Sequence, residues 1–307
     1  MSFENIIGHK KQIEQIKNTI KNNKIAHAYL FSGPEGIGKK RVGEEFIKYL
    51  NCTNQDREKI LACESCPSCL RMESNNQPDF FIITDQDGSI KIDQVRNLVA
   101  SLSLRNVLTK YKCVIINNCE LITPEGANSL LKVIEEPGEN VIFLLITSNE
   151  NKVLPTIRSR TQKINFQQLS EIELRKLAET KNLHSDNIDF LIEFSQGSIG
   201  KLISLLSDKD FLEELKEFQD IFSEIKEKPL FQIMYKGKLF EKDKKKLLRF
   251  LDFYIYTLEN DFSEYPVEKI REVIDEIIRA QEMLLRNINP RFVGEMLLIK
   301  TKSILKG

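Results

Sequence analysis

The chain has 307 residues, of which 41% are hydrophobic and 29% are charged, enough for two or three domains with buried cores. It contains no apolar run of about 18 residues, so neither a membrane-spanning helix nor a membrane partner is expected. Basic and acidic residues balance at 45 each, which disfavours a protein that binds DNA alone, because such a protein carries excess positive charge. The first residues lack a basic stretch followed by an apolar run, so we expect a cytoplasmic protein.

Short apolar runs in the first half of the chain predict strands. They cover residues 28–32, 80–83, 113–116 and 141–146. Continuous apolar runs of this kind are typical of parallel strands that are covered on both faces. Helical segments lie between them, and one of these begins at Thr123, a capping residue that is followed by Pro124. The alternation predicts an α/β fold with a parallel sheet.

The strand pattern stops near residue 165. We therefore expect an α/β domain over residues 1–165, short helices over 166–208 with a break at 197–200, and an all-helical domain over 209–307. Amphipathic helices in the last domain are predicted at 244–258 and 267–285.

A glycine-rich segment, Gly-Pro-Glu-Gly-Ile-Gly-Lys-Lys, follows the first predicted strand and precedes a helix. This is the context of a phosphate-binding loop. Gly33, Gly36 and Gly38 allow backbone N–H groups to curl around an anion. Lys39 stands where the lysine of the motif reaches the β- and γ-phosphates.

Two parts of the Mg²⁺-binding machinery conflict with ATP hydrolysis. Lys40 replaces the Ser or Thr whose hydroxyl ligates Mg²⁺, and an ammonium group has no lone pair to donate. Asn117 and Asn118 end the third predicted strand, where an active ATPase carries Asp and Glu; amides are poorer ligands for Mg²⁺ and cannot act as a general base. Glu120 is two or three residues out of register. We expect a vestigial loop that does not hydrolyse ATP, and any ATP or ADP there is expected to bind without Mg²⁺.

Four of the six cysteines lie within eighteen residues. They are Cys52, Cys63, Cys66 and Cys69. In a cytoplasmic chain this clustering favours a metal over disulfides. Four thiolates close a tetrahedron around Zn²⁺, so a structural zinc module over 52–69 is predicted. An iron–sulfur cluster and unligated thiols are less favoured alternatives. Cys113 and Cys119 are interpreted as a buried strand residue and its edge.

Arg158 and Arg160 follow the fourth predicted strand, at the end of a short predicted helix. Solvated arginines in a turn would fit this spacing. An arginine that a neighbouring subunit places against a γ-phosphate, where it stabilises transition-state charge, would fit it too.

Together these segments resemble the bacterial clamp loader of DNA polymerase III, an AAA+ family, over about residues 1–208. Besides the cysteines, the matching stretches are 6–9, 27–33, 92–96, 127–137 and 154–160. The resemblance implies an AAA+ parallel-sheet P-loop domain with an inserted zinc module, a small helical lid domain and a C-terminal helical collar domain. Residues 209–307 match only as a collar of the expected size.

Within this family the chain looks like the delta-prime branch. Motor subunits, called gamma or tau, usually carry an arginine in a Gly-Ser-x-Arg turn, where this chain has Gly200. Arg160 matches the arginine of the family's Ser-Arg-Cys motif, with Thr161 at the cysteine position. The resemblance implies that Arg160 reaches into a neighbour's ATP site and that Arg158 supports the loop.

The resemblance also implies partners. These are gamma/tau and delta subunits in a heteropentamer, with the sliding clamp and primed DNA contacted through the complex. Two alternatives stay open from the sequence. One is an active gamma/tau-like motor subunit, and the other is an unrelated zinc-binding module on a nucleotide-binding fold.

Overall fold

The computed structural model describes residues 3–74, 76–103, 107–185, 187–241, 243–261 and 265–306. The chain forms two compact units, the first ending at Leu202 and the second beginning at Ile203. The three-domain division, with boundaries near residues 165 and 209, stays a prediction.

A five-stranded parallel sheet forms the centre of the first unit. Its strands are β1 (Ala28–Ser32), β2 (Phe80–Ile83), β3 (Lys112–Ile116), β4 (Val141–Thr147) and β5 (Gln162–Asn165). The strand order is β2-β3-β4-β1-β5. The predicted parallel α/β fold is confirmed. The sequence analysis missed β5, because this edge strand is polar and buries only Ile164.

Helices cover both faces of the sheet. The helices that begin in the first unit are α1 (Lys10–Lys21), α2 (Lys39–Asn51), α3 (Pro67–Glu73), α4 (Ile92–Leu102), α5 (Pro124–Glu135), α6 (Pro155–Arg158), α7 (Glu171–Thr180), α8 (Ile188–Phe194) and α9 (Ile199–Ser207). On one face, Phe31 of β1 lies in a core cluster with Phe46 of α2. On the other face, Leu30 lies in a cluster with Leu130 of α5. Successive residues of β1 thus belong to opposite cores, which explains its unbroken apolar run.

The sequence predicted a cap at the start of α5 and a break over residues 197–200. Thr123 caps α5, because its Oγ1 accepts a hydrogen bond from the Gly126 N–H at 3.3 Å, and Pro124 is the first helical residue. This predicted cap is confirmed. The predicted break at 197–200 is shorter than expected, since α9 already begins at Ile199.

The second unit is helical throughout the residues that the structure describes. Its remaining helices are α10 (Lys209–Glu227), α11 (Leu230–Lys236), α12 (Lys244–Asp261), α13 (Val267–Leu285) and α14 (Pro290–Lys306). Aromatic rings fill its core, with the ring centroid of Phe250 5.4 Å from that of Phe218 and 5.5 Å from that of Tyr254. Among the described helices of the whole chain, none combines the length and apolar character that crossing a membrane requires.

A buried carboxylate organises the segment that enters β3. Asp79 accepts hydrogen bonds from the N–H groups of Val107, Leu108 and Thr109 at 2.8–2.9 Å, and from Thr109 Oγ1 at 3.0 Å. Burial raises the pKa of Asp79, but these hydrogen bonds outweigh burial and hold the pKa below its ordinary value. Because the native pKa is depressed, the ionised carboxylate stabilises the fold at neutral pH, and this stabilisation is lost as the pH falls through the native pKa.

We expect Asp79→Asn to lower the free energy of unfolding by about 2–3 kcal/mol at pH 7, since hydrogen bonds to a charged acceptor are lost. The deficit should begin to shrink below about pH 4, where the carboxylate of the unfolded chain becomes protonated, and should disappear below the depressed native pKa. Urea unfolding at both pH values measures this. Asp93→Asn, on the exposed first turn of α4, is the control and should change stability by less than about 0.5 kcal/mol. An equal loss of unfolding free energy in Asp79→Asn and Asp93→Asn would contradict the role of Asp79.

Candidate functional site

The glycine-rich loop joins β1 to the first turn of α2, as the sequence predicted. Gly36 and Gly38 have φ angles of 71° and 103°, in the left-handed region that glycine adopts readily. The loop therefore has the backbone shape of a phosphate-binding loop.

Lys39 is turned back onto its own loop. The side chain is buried, and Nζ donates to the carbonyl oxygens of Gly33 and Pro34, both at 2.5 Å. Burial lowers the pKa of Lys39, and the nearby carboxylates of Glu120 and Glu35 act in the opposite direction. In this arrangement the ammonium group donates to the carbonyl oxygens of its own loop.

The first turn of α9 packs directly on the loop. The Gly200 N–H donates to the Gly36 carbonyl at 2.8 Å. A Cβ atom at residue 200 would lie 3.0 Å from Gly36 Cα and 3.2 Å from Gly36 O, closer than ordinary contacts allow. Any larger side chain at residue 200 therefore requires the loop and the turn to move apart. The sequence analysis recognised that an arginine is missing here, and the structure adds the contact that glycine permits.

His9 supports the same loop from the other side, and the sequence analysis assigned it no role. Its Nε2 donates to the Ile37 carbonyl at 2.7 Å, and its ring meets that of Phe166 edge-on at 5.1 Å. Burial lowers the pKa of His9, which favours the neutral ring. A histidine next to Gly8 before the first helix is not diagnostic by itself, so only the folded contact reveals this support.

Asn117 and Asn118 follow β3, at the place where an active ATPase would carry acidic residues, as the sequence indicated. Asn118 has a left-handed φ of 53°, and its Nδ2 donates to Asp85 Oδ1 at 3.0 Å. The Glu120 carboxylate accepts from Ser148 N–H at 3.0 Å and from Ser148 Oγ at 2.6 Å. Burial raises the pKa of Glu120, but these hydrogen bonds outweigh it and lower the pKa. One oxygen of Glu120, Oε1, is therefore held by Ser148 just after β4, whereas Oε2 is buried without a hydrogen-bond partner in the described part of the chain.

A cleft of about 430 Å³ lies between the loop and these amides. Its lining includes Lys40, Glu44, Asn117, Asn118 and Ser148. Lys40 Nζ lies 3.7 Å from Glu44 Oε1, so a cation and its ion-pair partner occupy the region where the motif hydroxyl would ligate Mg²⁺. The residues present therefore do not fit a Mg²⁺-bound nucleotide.

The two arginines after β4 have different environments. Arg158 Nη1 lies 3.9 Å from Glu150 Oε1, and its Nε is buried without a hydrogen-bond partner in the described part of the chain. Arg160 is 39% exposed, and its Nη2 lies 2.7 Å from Glu135 Oε1. Neither is among the described residues that line the cleft at the loop. Arg160 is thus available at the surface, whereas Arg158 is directed towards its own chain.

The predicted metal ligands come together. The Sγ atoms of Cys52, Cys63, Cys66 and Cys69 all lie within 4.8 Å of one another, and the Cys52–Cys66 pair is 3.9 Å apart. Tetrahedral Zn²⁺ with Zn–S bonds of about 2.3 Å would place its sulfurs about 3.8 Å apart. The end of α2 supplies Cys52, and the start of α3 supplies Cys66. The cluster therefore fits a metal such as zinc.

Hydrogen bonds favour the thiolate form of Cys66, whereas burial raises the pKa of Cys52 and of Cys69 in the same cluster. Burial raises the pKa of Cys66, but hydrogen bonds from Thr53 and from the Cys69 N–H outweigh burial and lower the pKa to about 5. The Cys63 N–H donates to Cys52 Sγ at 3.3 Å. A thiolate is the form that binds metal. Outside the cluster, Cys113 is buried in β3, as interpreted from the sequence.

Comparison with known proteins places these features in a family. The family model described as "DNA polymerase III, delta subunit" matches residues 8–170. The delta' subunit of DNA polymerase III from Bacillus subtilis is 32% identical over 198 residues, 64% of this chain and 58% of that protein. The tau/gamma subunit from Haemophilus influenzae is 32% identical over 212 residues, 66% of this chain and 30% of that protein. The chain thus spans less than two thirds of the length of either relative.

A solved structure shares the fold. It is a gamma subunit-related protein of DNA polymerase III from Thermotoga maritima, with a TM-score of 0.58 and 19% sequence identity. The match covers 95% of this chain and 99% of that one.

Proposed function

This chain belongs to the family of DNA polymerase III clamp-loader subunits, and from that membership we propose that it is a delta-prime-type subunit. In this role it does not hydrolyse ATP. It supplies Arg160 to the ATP site of a neighbouring motor subunit during loading of the sliding clamp. Membership in this family removes the alternative of an unrelated zinc-binding module.

One contrast carries the proposal: Arg160 is exposed, whereas the chain's own loop lacks Mg²⁺ ligands. Lys40 and Asn117 stand at the two places that would contact the metal, and both line the cleft. An arginine in trans needs only to reach the neighbour's phosphate, so its role does not depend on the loop of its own chain. The gamma/tau-like motor alternative would need a hydroxyl at residue 40 and an acid at residue 117 or 118, and this chain has neither.

The partners follow from the same role. We propose that gamma/tau and delta subunits join this chain in a heteropentamer, through a collar formed by residues 209–307. The sliding clamp and primed DNA are contacted through that complex, in the cytoplasm. The four cysteines hold one structural Zn²⁺, and the inserted module is then residues 52–69.

We expect the isolated chain to show no Mg²⁺-dependent ATP turnover, since Lys40 has no lone pair for the metal and the amides are poor ligands that cannot act as a general base. Titration with a fluorescent ATP analogue should give the same affinity, within about twofold, with and without Mg²⁺. Turnover by the isolated chain, or tenfold tighter binding with Mg²⁺, would favour the motor alternative.

The Lys39→Met variant provides the control within the complex. It keeps the length of the side chain and removes the charge on which an active phosphate loop depends. If this loop does not hydrolyse ATP, the DNA-stimulated turnover of the reconstituted complex stays within about twofold of wild type. A large loss would contradict the proposal.

A further inference from the structure

We propose that Glu135 is a positioning residue for Arg160, holding the guanidinium group ready for a phosphate of the neighbouring subunit. This inference rests on the proposed function of Arg160. It assigns a role to the last residue of α5, a position that the sequence analysis treated only as part of a matching stretch.

Two kinds of contact hold the guanidinium group of Arg160. Its Nη2 forms an ion pair with Glu135, 2.7 Å from Oε1, while Nη1 donates hydrogen bonds to Thr156 O at 3.1 Å and to Ser159 Oγ at 3.2 Å. The two hydrogen bonds use both N–H groups of Nη1. In the described part of the chain, Nε has no hydrogen-bond partner, so its N–H is available to an oxygen atom of a phosphate.

Glu135 is the last residue of α5, a helix that packs into the core of the first unit. The final turn of α5 is anchored by the fully buried side chain of Ile134, and one turn earlier Leu130 is also fully buried. A carboxylate at a helix C-terminus is unfavourable by itself, because the helix dipole is negative there. The nearby guanidinium group offsets that cost. The arrangement thus couples a surface arginine to the hydrophobic core of its own subunit.

Pre-ordering matters because a free arginine side chain carries about 2 kcal/mol of rotamer entropy. Without Glu135, more of this entropy must be lost when the guanidinium meets the developing charge on the phosphate. An exposed ion pair contributes only about 0–1 kcal/mol, so the expected effect is modest. It should appear in kcat rather than KM, because the substrate is held by the neighbouring subunit.

The experiment measures DNA-stimulated ATP turnover of the reconstituted complex. Arg160→Ala first defines the share of turnover that depends on this arginine. Glu135→Ala should lower kcat for that share about fivefold, with KM unchanged within about twofold, since 1 kcal/mol corresponds to about a fivefold change in rate. Glu135→Gln keeps an oxygen acceptor and should recover part of the loss.

Two controls separate positioning from a general structural effect. Glu136→Ala removes the same charge one residue later and should leave kcat unchanged. Adding Glu135→Ala to Arg160→Ala should cause no further loss, because residues that act through one group are not additive. A further loss in that double variant would overturn the inference.

The outcomes also separate this inference from the proposed function. If Arg160→Ala lowers turnover while Glu135→Ala does not, the positioning role is wrong and the arginine in trans stands. If Arg160→Ala itself has no effect, the proposed function fails as well.

Discussion

Replacing Arg160 with alanine in the assembled clamp loader is expected to lower turnover at the facing ATP site by about 10³-fold, the lower end of what an arginine in trans contributes. The reason is electrostatic, since the guanidinium neutralises charge that develops on the phosphate in the transition state. In the proposed heteropentamer the other ATP sites are unaffected, so total turnover should fall only by the share of the facing site. Single-turnover hydrolysis measures the loss, and a clamp-loading assay reports its consequence.

Arg160→Lys sharpens this test. Lysine keeps the positive charge but loses the planar fork, so turnover at the site should stay at least tenfold below wild type. Arg175→Ala is the control, because Arg175 is an exposed arginine of the same unit that pairs with Asp189. The turnover of the complex that carries Arg175→Ala should match that of the wild-type complex. Full turnover in the Arg160→Ala complex would refute the role of this residue.

Replacing Cys66 with serine is expected to remove the metal from the cysteine cluster. The wild-type chain should carry one zinc per chain after dialysis against a weak chelator, and the variant close to none. The reason is that structural Zn²⁺ sites in small domains contribute about 10–16 kcal/mol, and this depends on a complete ligand set. Metal analysis of the purified protein measures the stoichiometry.

Loss of zinc should also loosen the segment between α2 and α3. In Cys66→Ser, the backbone amides of this segment are expected to exchange faster. The amides of β1, which lies in the core of the sheet, should stay protected. The Cys119→Ala variant removes a thiol outside the cluster and should retain one zinc. Full zinc content in Cys66→Ser would show that the ligand assignment is wrong.

Local patterns were enough to predict much of the fold. The apolar runs at β1, β3 and β4 identified the central strands, because a strand buried on both faces leaves an unbroken signal. The glycines and Lys39 placed the loop, and Thr123 with Pro124 placed the start of α5. By contrast, β5 escaped prediction because an edge strand buries one side chain in four and carries polar residues on either side.

The candidate site was predictable in its chemistry and less so in its geometry. Lys40 and Asn117 identified the missing Mg²⁺ ligands, because the motif assigns a chemical role to each position. The spacing of the cysteines predicted a cluster that the structure brings together. The roles of His9 and Glu135 were not predictable, because neither residue type is distinctive at its position in the chain.

The sequence by itself therefore determined which groups this chain carries: a phosphate loop without metal ligands, four clustered thiols and two arginines after β4. Only the tertiary structure decided what those groups contact. The Gly200–Gly36 hydrogen bond joins residues 164 positions apart, and the Arg160–Glu135 pair joins residues 25 apart. Such contacts depend on how helices pack against the sheet, and packing directions are not encoded in any short segment. For that reason the sequence could identify Arg160, whereas its ion pair with Glu135 required the fold.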